Sequence, residues 1–293
     1  MPATAADLVS LFDLEPVSAD VYRGISLDNG WKRIFGGQVL AQALVAASRT
    51  VEDRSPHSLH AYFILAGDPT VDIRFEVERI RDGRSFTTRR VVAKQRDSAI
   101  FVLSASYQVE EEGLEHAFPM PPEPEPEGLP DPEQLAAFAG PKASAQLQTF
   151  FDRIKPIEFR PIDLSRYAPS ANGKKREPRQ SLWIKIGGKL PDDPAIHRAA
   201  LLYLSDMTLL DTALVAHNTT IFSGKIQGAS LDHAFWFHRP CRADEWLLYV
   251  QDSPNASGAR GLTRGLLYSR TGVLVASVAQ EGLMRLRREP APV

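Results

Sequence analysis

Cysteine is almost missing from this chain of 293 residues: there is one, Cys241. A single thiol closes no internal disulfide, so a cross-linked framework of the secreted kind is excluded and a reducing compartment fits. Neither sign of charge is in excess, with 34 Lys and Arg against 36 Asp and Glu and a net charge of −2. That balance excludes the strongly basic face a nucleic-acid binder needs, so nucleic acid is not an expected partner. No apolar run approaches the ~20 residues of a membrane-spanning helix. Residues 1–15 lack the basic start and long apolar stretch of a secretory signal, and the final Ala291-Pro292-Val293 is not a Ser-Lys-Leu type of address. A cytoplasmic location without a membrane span is the expectation.

Several catalytic signatures are missing too. There is no Gly-x-Ser-x-Gly elbow, which disfavours an α/β-hydrolase serine. There is also no P-loop, no dinucleotide glycine fingerprint and no His-Glu-x-x-His. His57 with His60, and His233 with His238, have no matching carboxylate or cysteine set. They read as hydrogen-bonded histidines, and no metal or other cofactor is expected.

What the chain does contain is itself, twice. Val39, Leu40, Ala43, Leu44 and Ala47 share one helical face, and Leu209, Leu210, Ala213 and Leu214 repeat that spacing 170 positions later. Ser58-Leu59-His60-Ala61-Tyr62-Phe63 is answered, 172 positions on, by Ser230-Leu231-Asp232-His233-Ala234-Phe235. Val102-Leu103-Ser104-Ala105-Ser106 is answered by Leu274-Val275-Ala276-Ser277, 171 positions on at the final serines. Nearly one offset at three anchors predicts a tandem duplication.

Between the anchors the period is two. Ile73, Phe75 and Val77 alternate with Arg74, Glu76 and Glu78, and Asp82-Gly83 predicts a tight turn into a strand over 86–94. Residues 246–250, 262–268 and 273–278 read as the corresponding strands, with a turn at Thr271-Gly272. Each copy is therefore expected to be one central helix with an antiparallel meander, an α+β unit whose sheet and helix share one core. Residues 110–132 are rich in proline and acid and predict an extended tether, followed by a helix starting near Asp131-Pro132. Strand-like stretches at 157–160 and 182–186 follow, and 167–179, with Lys174-Lys175-Arg176, reads as a solvent loop. The expected domains are 1–115, a linker with a short helix over 116–150, and 151–293.

Four segments taken together resemble one family. They are Phe35-Gly36-Gly37-Gln38-Val39, Asp82-Gly83-Arg84-Ser85-Phe86, residues 232–240 from Asp232-His233 to Arg239-Pro240, and Val275-Ala276-Ser277-Val278-Ala279-Gln280-Glu281-Gly282. In this order and spacing they look like the acyl-CoA thioesterase II family, over residues 22–287. The resemblance implies a tandem double hotdog, an acyl-CoA substrate, and hydrolysis to a free fatty acid and CoA. It also implies a catalytic trio on the second unit: Asp206 at the start of the second helix, Ser230 where many relatives carry threonine, and Gln280 on the last strand.

On that reading Asp206 activates a water, and Ser230 and Gln280 position it. Gly36 and Gly37 let a ligand approach the backbone, which points to a composite site with oxyanion donors at a helix start. Arg89, Arg90 and Arg260 are candidates for the CoA phosphates. From the residues alone, Asp206 equally caps its helix, Ser230 and Gln280 are ordinary strand residues, and the arginines are solvated. Asp232 and His233 flank the trio, with His233 as an alternative base. A non-catalytic acyl-CoA binder and a double-hotdog enoyl-CoA hydratase stand as rival functions. Hotdog units close a sheet edge by pairing, often between subunits, so a homo-oligomer is expected.

Overall fold

The computed structural model describes residues 2–26, 32–138, 141–164, 176–220 and 224–287. Most of the loop expected over 167–179 lies outside the described residues.

The chain opens with α1 (Ala5–Phe12), held by a capping box between Thr4 and Asp7. The hairpin β1 (Glu15–Ser18) and β2 (Val21–Gly24) follows, and then α2 (Gly36–Ser48) and β3 (Ser55–Phe63). The expected meander is β4 (Ile73–Asp82), β5 (Phe86–Gln95) and β6 (Ser98–Gln108). Alternation decides which face is inside: Ile73, Phe75, Val77, Val91, Ala93, Leu103 and Ala105 are buried against α2.

After the tether come α3 (Pro132–Phe138) and α4 (Pro141–Ile154). Asp131 caps α3 through the Gln134 N–H at 2.8 Å, and the Gln134 side chain returns a bond to the Asp131 N–H. The second unit holds β7 (Ile157–Pro161), β8 (Arg179–Ile186), α5 (Pro194–Ser205), the four-residue α6 (Thr212–Val215), β9 (Ile226–Ser230) and β10 (Asp232–Phe237). Its meander is β11 (Leu247–Ser257), β12 (Arg260–Ser269) and β13 (Leu274–Leu286).

The strands form one antiparallel sheet in the order β1-β2-β4-β5-β6-β3-β10-β13-β12-β11-β8-β7, with β9 paired to β13. The duplication is plain in this order. β4-β5-β6-β3 is mirrored by β11-β12-β13-β10, and the halves meet where β3 pairs with β10 in the register Tyr62–Asp232, His60–Ala234, Ser58–Trp236. The edge pairing behind the expected oligomer is thus made inside one chain. The sheet's cover is the pair α2 and α5, packed on each other.

Two expectations are corrected. The helix matching α2 is α5, 158 positions on at its first residue, and the 205–217 stretch forms only α6. Helix α5 is buried on nearly every side from Ala199 through Ser205, as α2 is from Gly37 through Leu44. Leu209, Leu210, Ala213 and Leu214 are buried as their spacing implies. Leu209 and Leu210, however, lie in turns and only Ala213 and Leu214 in α6, and the neighbouring Thr208 is tied to β8 and β11 by the Gln180 amide on its carbonyl and the Gln251 amide on its hydroxyl. Asp206 accordingly ends α5 instead of starting a helix.

The tether is irregular over 109–125 but is not a free linker. The Trp183 indole donates to Pro124 O at 2.7 Å, Arg270 pairs with Glu125 and Glu127, and Arg239 pairs with Glu115. Met120 and Leu129 pack on a small outer cluster of Trp183, Leu248, Tyr268 and Leu274.

Candidate active site

The site lies where the end of α5 meets the beginning of α2. Asp206 is 9 % exposed. A carboxylate at a helix C-terminus is opposed by that helix's dipole, but here it faces the N-terminus of α2 and accepts the Gly37 N–H. Helix α2 has no side-chain cap and no acid in its first turn, so Asp206 supplies from the other unit the anion this end lacks. The glycines make the approach possible. A Cβ on Gly36 would lie 2.6 Å from Asp206 Oδ2, and one on Gly37 would lie 2.5 Å from Tyr203 O. The close approach expected of a ligand at Gly36-Gly37 is therefore made first by the protein's own carboxylate and carbonyl.

Ser230 and Gln280 come to the same oxygen. Gln280 Nε2 donates to Asp206 Oδ1 at 2.7 Å, and Ser230 Oγ donates to it at 3.3 Å. Ser230 ends β9 because the strand breaks at Leu231, whose N–H donates to Glu281 O while its carbonyl accepts the Phe63 N–H of the first unit. The Asp232 carboxylate accepts the Glu281 N–H at 2.6 Å and fixes that break. Gln280 is 1 % exposed, and its Oε1 has no hydrogen-bond partner among the described residues. Burial pushes the Asp206 carboxyl up to about 6, against the lowering effect of the bonds from Gln280, Ser230 and Gly37.

A cavity of about 340 Å³ opens onto Asp206 and Ser230. Its other walls are mostly apolar: Phe35 just before α2, Gly36 and Val39 of α2, the loop Ile64 to Gly67, Ile100 and Phe101 of β6, and Phe150 of α4. Such a space suits a small, largely apolar ligand with its polar end at the carboxylate. A larger cavity of about 510 Å³ lies at the far end of the helix pair, between α1, the end of α2 and the start of α5. Its acids are already paired within its own walls, Asp13 with Arg49 and Asp193 as the cap of α5, and none of Asp206, Ser230 and Gln280 lines it, so the smaller cavity is the candidate.

The three arginines are not brought together. Arg89 is 2 % exposed and spends its guanidinium on Thr50 Oγ1, Thr50 O, Asp82, Arg81 O and Thr88 O. It ties the end of α2 to the β4–β5 hairpin and cannot reach a phosphate. Arg90 is half exposed and pairs with Glu78. Arg260 is half exposed and pairs with Glu281, the neighbour of Gln280. The arginine that does line the cavity is Arg33, which donates to Gly228 O at 2.7 Å; no motif marked it.

His233 is fully buried, with Nε2 3.0 Å from Ser205 Oγ and Nδ1 3.9 Å from Asp206 Oδ1. Burial pushes its pKa down to about 3, so it is neutral and shielded from substrate. The other histidines of the two pairs in the sequence find hydroxyl or ring partners: His57 with Ser106, His238 with Ser277, and His60 edge-on to Trp236. Among the described residues, no group of His, Cys, Asp and Glu could hold a metal ion, and no helix is long and apolar enough to cross a membrane.

Comparisons with known proteins give the family of the chain. The family model described as "Acyl-CoA thioesterase" matches residues 152–283, and that described as "Acyl-CoA thioesterase N-terminal domain" matches residues 27–108. The chain belongs to the acyl-CoA thioesterase II family, double-hotdog hydrolases that act on the thioester bond of acyl-CoA. It is 38 % identical to acyl-CoA thioesterase 2 of Haemophilus influenzae, over 95 % of this chain and 97 % of that one. It is 41 % identical to acyl-coenzyme A thioesterase 8 of mouse, over 96 % and 89 %. Among solved structures, an acyl-CoA thioesterase II from Mycobacterium marinum is 40 % identical, with 96 % and 98 % of the chains covered and a TM-score of 0.78.

Proposed function

We propose that this thioesterase cleaves fatty acyl-CoA by direct attack of water, with Asp206 as the base and Ser230 and Gln280 as the groups that position the water. The observation that supports this most is the convergence of Ser230 and Gln280 on Asp206 Oδ1 at the wall of an apolar cavity. A carboxyl raised to about 6 is a stronger base than an exposed one and is still largely ionised at neutral pH. Gln280 Oε1, an acceptor without a partner, suits one O–H of the water. The acyl chain lies in the cavity, its carbonyl near Gly36, so that the developing oxyanion faces the N-terminus of α2. Ser230 is a donor to Asp206 and forms no acyl adduct. Of the arginines weighed for CoA, Arg260 beside Glu281 is the phosphate contact in this reading. Neither Arg260 nor Arg90 lines the cavity itself, and Arg260 is kept for its place beside Glu281, next to Gln280. The protein works in the cytoplasm.

The test is thiol release from a series of acyl-CoAs, with wild type beside Asp206→Asn. Release should fall at least about a hundredfold in the folded variant, and intact mass should show no acyl-Ser230. Full activity in Asp206→Asn would sink the site. Binding of acyl-CoA without release would favour the binder, and hydration of crotonyl-CoA without thiol release would favour the hydratase.

A further inference from the structure

The hydroxyl of Ser205 settles the tautomer of His233. It lies 2.8 Å from Leu202 O and 3.0 Å from His233 Nε2. A carbonyl oxygen only accepts, and a serine has one proton to give, so both contacts are hydrogen bonds only if Ser205 donates to Leu202 and His233 Nε2–H donates to Ser205. His233 Nδ1 is then a bare lone pair. It has no partner among the described residues, it is fully buried, and it faces Asp206 Oδ1 at 3.9 Å.

We propose that His233 is a positioning residue that accepts a hydrogen bond from Asp206 once Asp206 has taken a proton from the attacking water. This rests on Asp206 being the base. As the water oxygen bonds to the acyl carbon, one of its protons passes to Asp206. The carboxyl O–H turns to His233 Nδ1 while the tetrahedral intermediate exists. When the C–S bond breaks and its electron pair stays on sulfur, Asp206 gives the proton to the thiolate. His233 is neutral throughout and touches neither substrate nor water. A lone pair behind the carboxylate favours its protonated form, which makes Asp206 more basic.

Every other group bearing on Asp206 favours the carboxylate: the Gly37 N–H from α2, Ser230 from β9 and Gln280 from β13. Tyr249 of β11 donates to Ser205 O at 2.9 Å, and burial holds its hydroxyl neutral. Asp211 lines the same cavity. Gln280 Oε1 is also without a partner among the described residues, but its amide already meets Asp206 through Nε2–H, so His233 Nδ1 is the bare acceptor that faces Asp206 Oδ1 from behind the carboxylate.

Two measurements test this. In the wild-type protein, ring ¹⁵N–¹H correlations of His233 should show Nε2 protonated and Nδ1 bare; a proton on Nδ1 overturns the proposal, whatever the fate of Asp206. In His233→Phe, which keeps an aromatic ring beside Phe235, kcat should fall about tenfold with KM within about twofold. The acidic limb of its kcat/KM profile should move to lower pH by about half a unit or more. His233→Gln, whose side chain retains an acceptor, should recover part of both. A limb that stays in place or moves to higher pH overturns the proposal. If His233→Phe does not fold, the ring spectrum decides alone. Activity surviving Asp206→Asn would remove the base itself and leave the tautomer result standing.

Discussion

Asp206 shows how little a side chain's own helix says about it. At the C-terminus of α5 it is in the wrong place for that dipole and in the right place for the next one. Its ionisation is linked to stability. The folded chain holds the proton up to about pH 6, against an ordinary value of 3.8. The burial penalty on the charge is therefore absent below 3.8, grows across the interval and is complete above about 6, so the group lowers stability as pH rises. We expect the Tm of Asp206→Asn, relative to wild type, to improve as pH goes from 4 to 7; a constant difference in thermal melts would contradict the raised carboxyl. The kcat/KM of the wild type should fall as pH drops through about 6.

Arg89 is the opposite case, a buried charge whose partners are all within the fold. Arg89→Met should lower stability by about 1–3 kcal/mol, since it leaves the buried Thr50 acceptors without a donor, and leave KM for acyl-CoA unchanged. A raised KM at unchanged Tm would restore the phosphate role. Sequence could mark the arginine, but only burial shows what it binds.

At the scale of elements, the meanders and the turn at Asp82-Gly83 were legible because alternation and turn chemistry are local. The second helix was not: α5 is buried on nearly all sides, and the apolar spacing at Leu209, Leu210, Ala213 and Leu214 matched that of α2 and drew the expectation past it. The break between β9 and β10 was also hidden, since Ser230 and Asp232 read as one strand until the Asp232 carboxylate takes the Glu281 N–H. The α2–α5 junction gives a prediction of its own. Gly37→Ala would drive its Cβ against Tyr203 O and the Phe35 ring. It should cost about 1–3 kcal/mol and cut kcat by displacing the α2 amides from Asp206, as paired melts and thiol assays would show. Normal kcat at lowered Tm would confine Gly37 to packing.

Across the whole molecule, the two units share one sheet and one helix pair and so should unfold as one. Phe235 is fully buried on β10, opposite Leu59 of β3. Phe235→Ala should cost about 3–5 kcal/mol and shift a single calorimetric transition. Two separated transitions would mean that the units fold independently.

The sequence by itself determined the duplication, the meanders and the family, because each rests on local periodicity or on motifs read in order, and the resemblance pointed to Asp206, Ser230 and Gln280 as candidates. Only the tertiary structure decided that α5 precedes Asp206, that Gly36 and Gly37 make room for that carboxylate, and that the unit edges close within the chain. It also decided that Arg89 is internal and that His233 turns a lone pair toward the site. The physical reason is common to all of these. Each depends on which group from a distant part of the chain supplies a hydrogen bond, a dipole or a wall, and such pairings do not show in the order of residues.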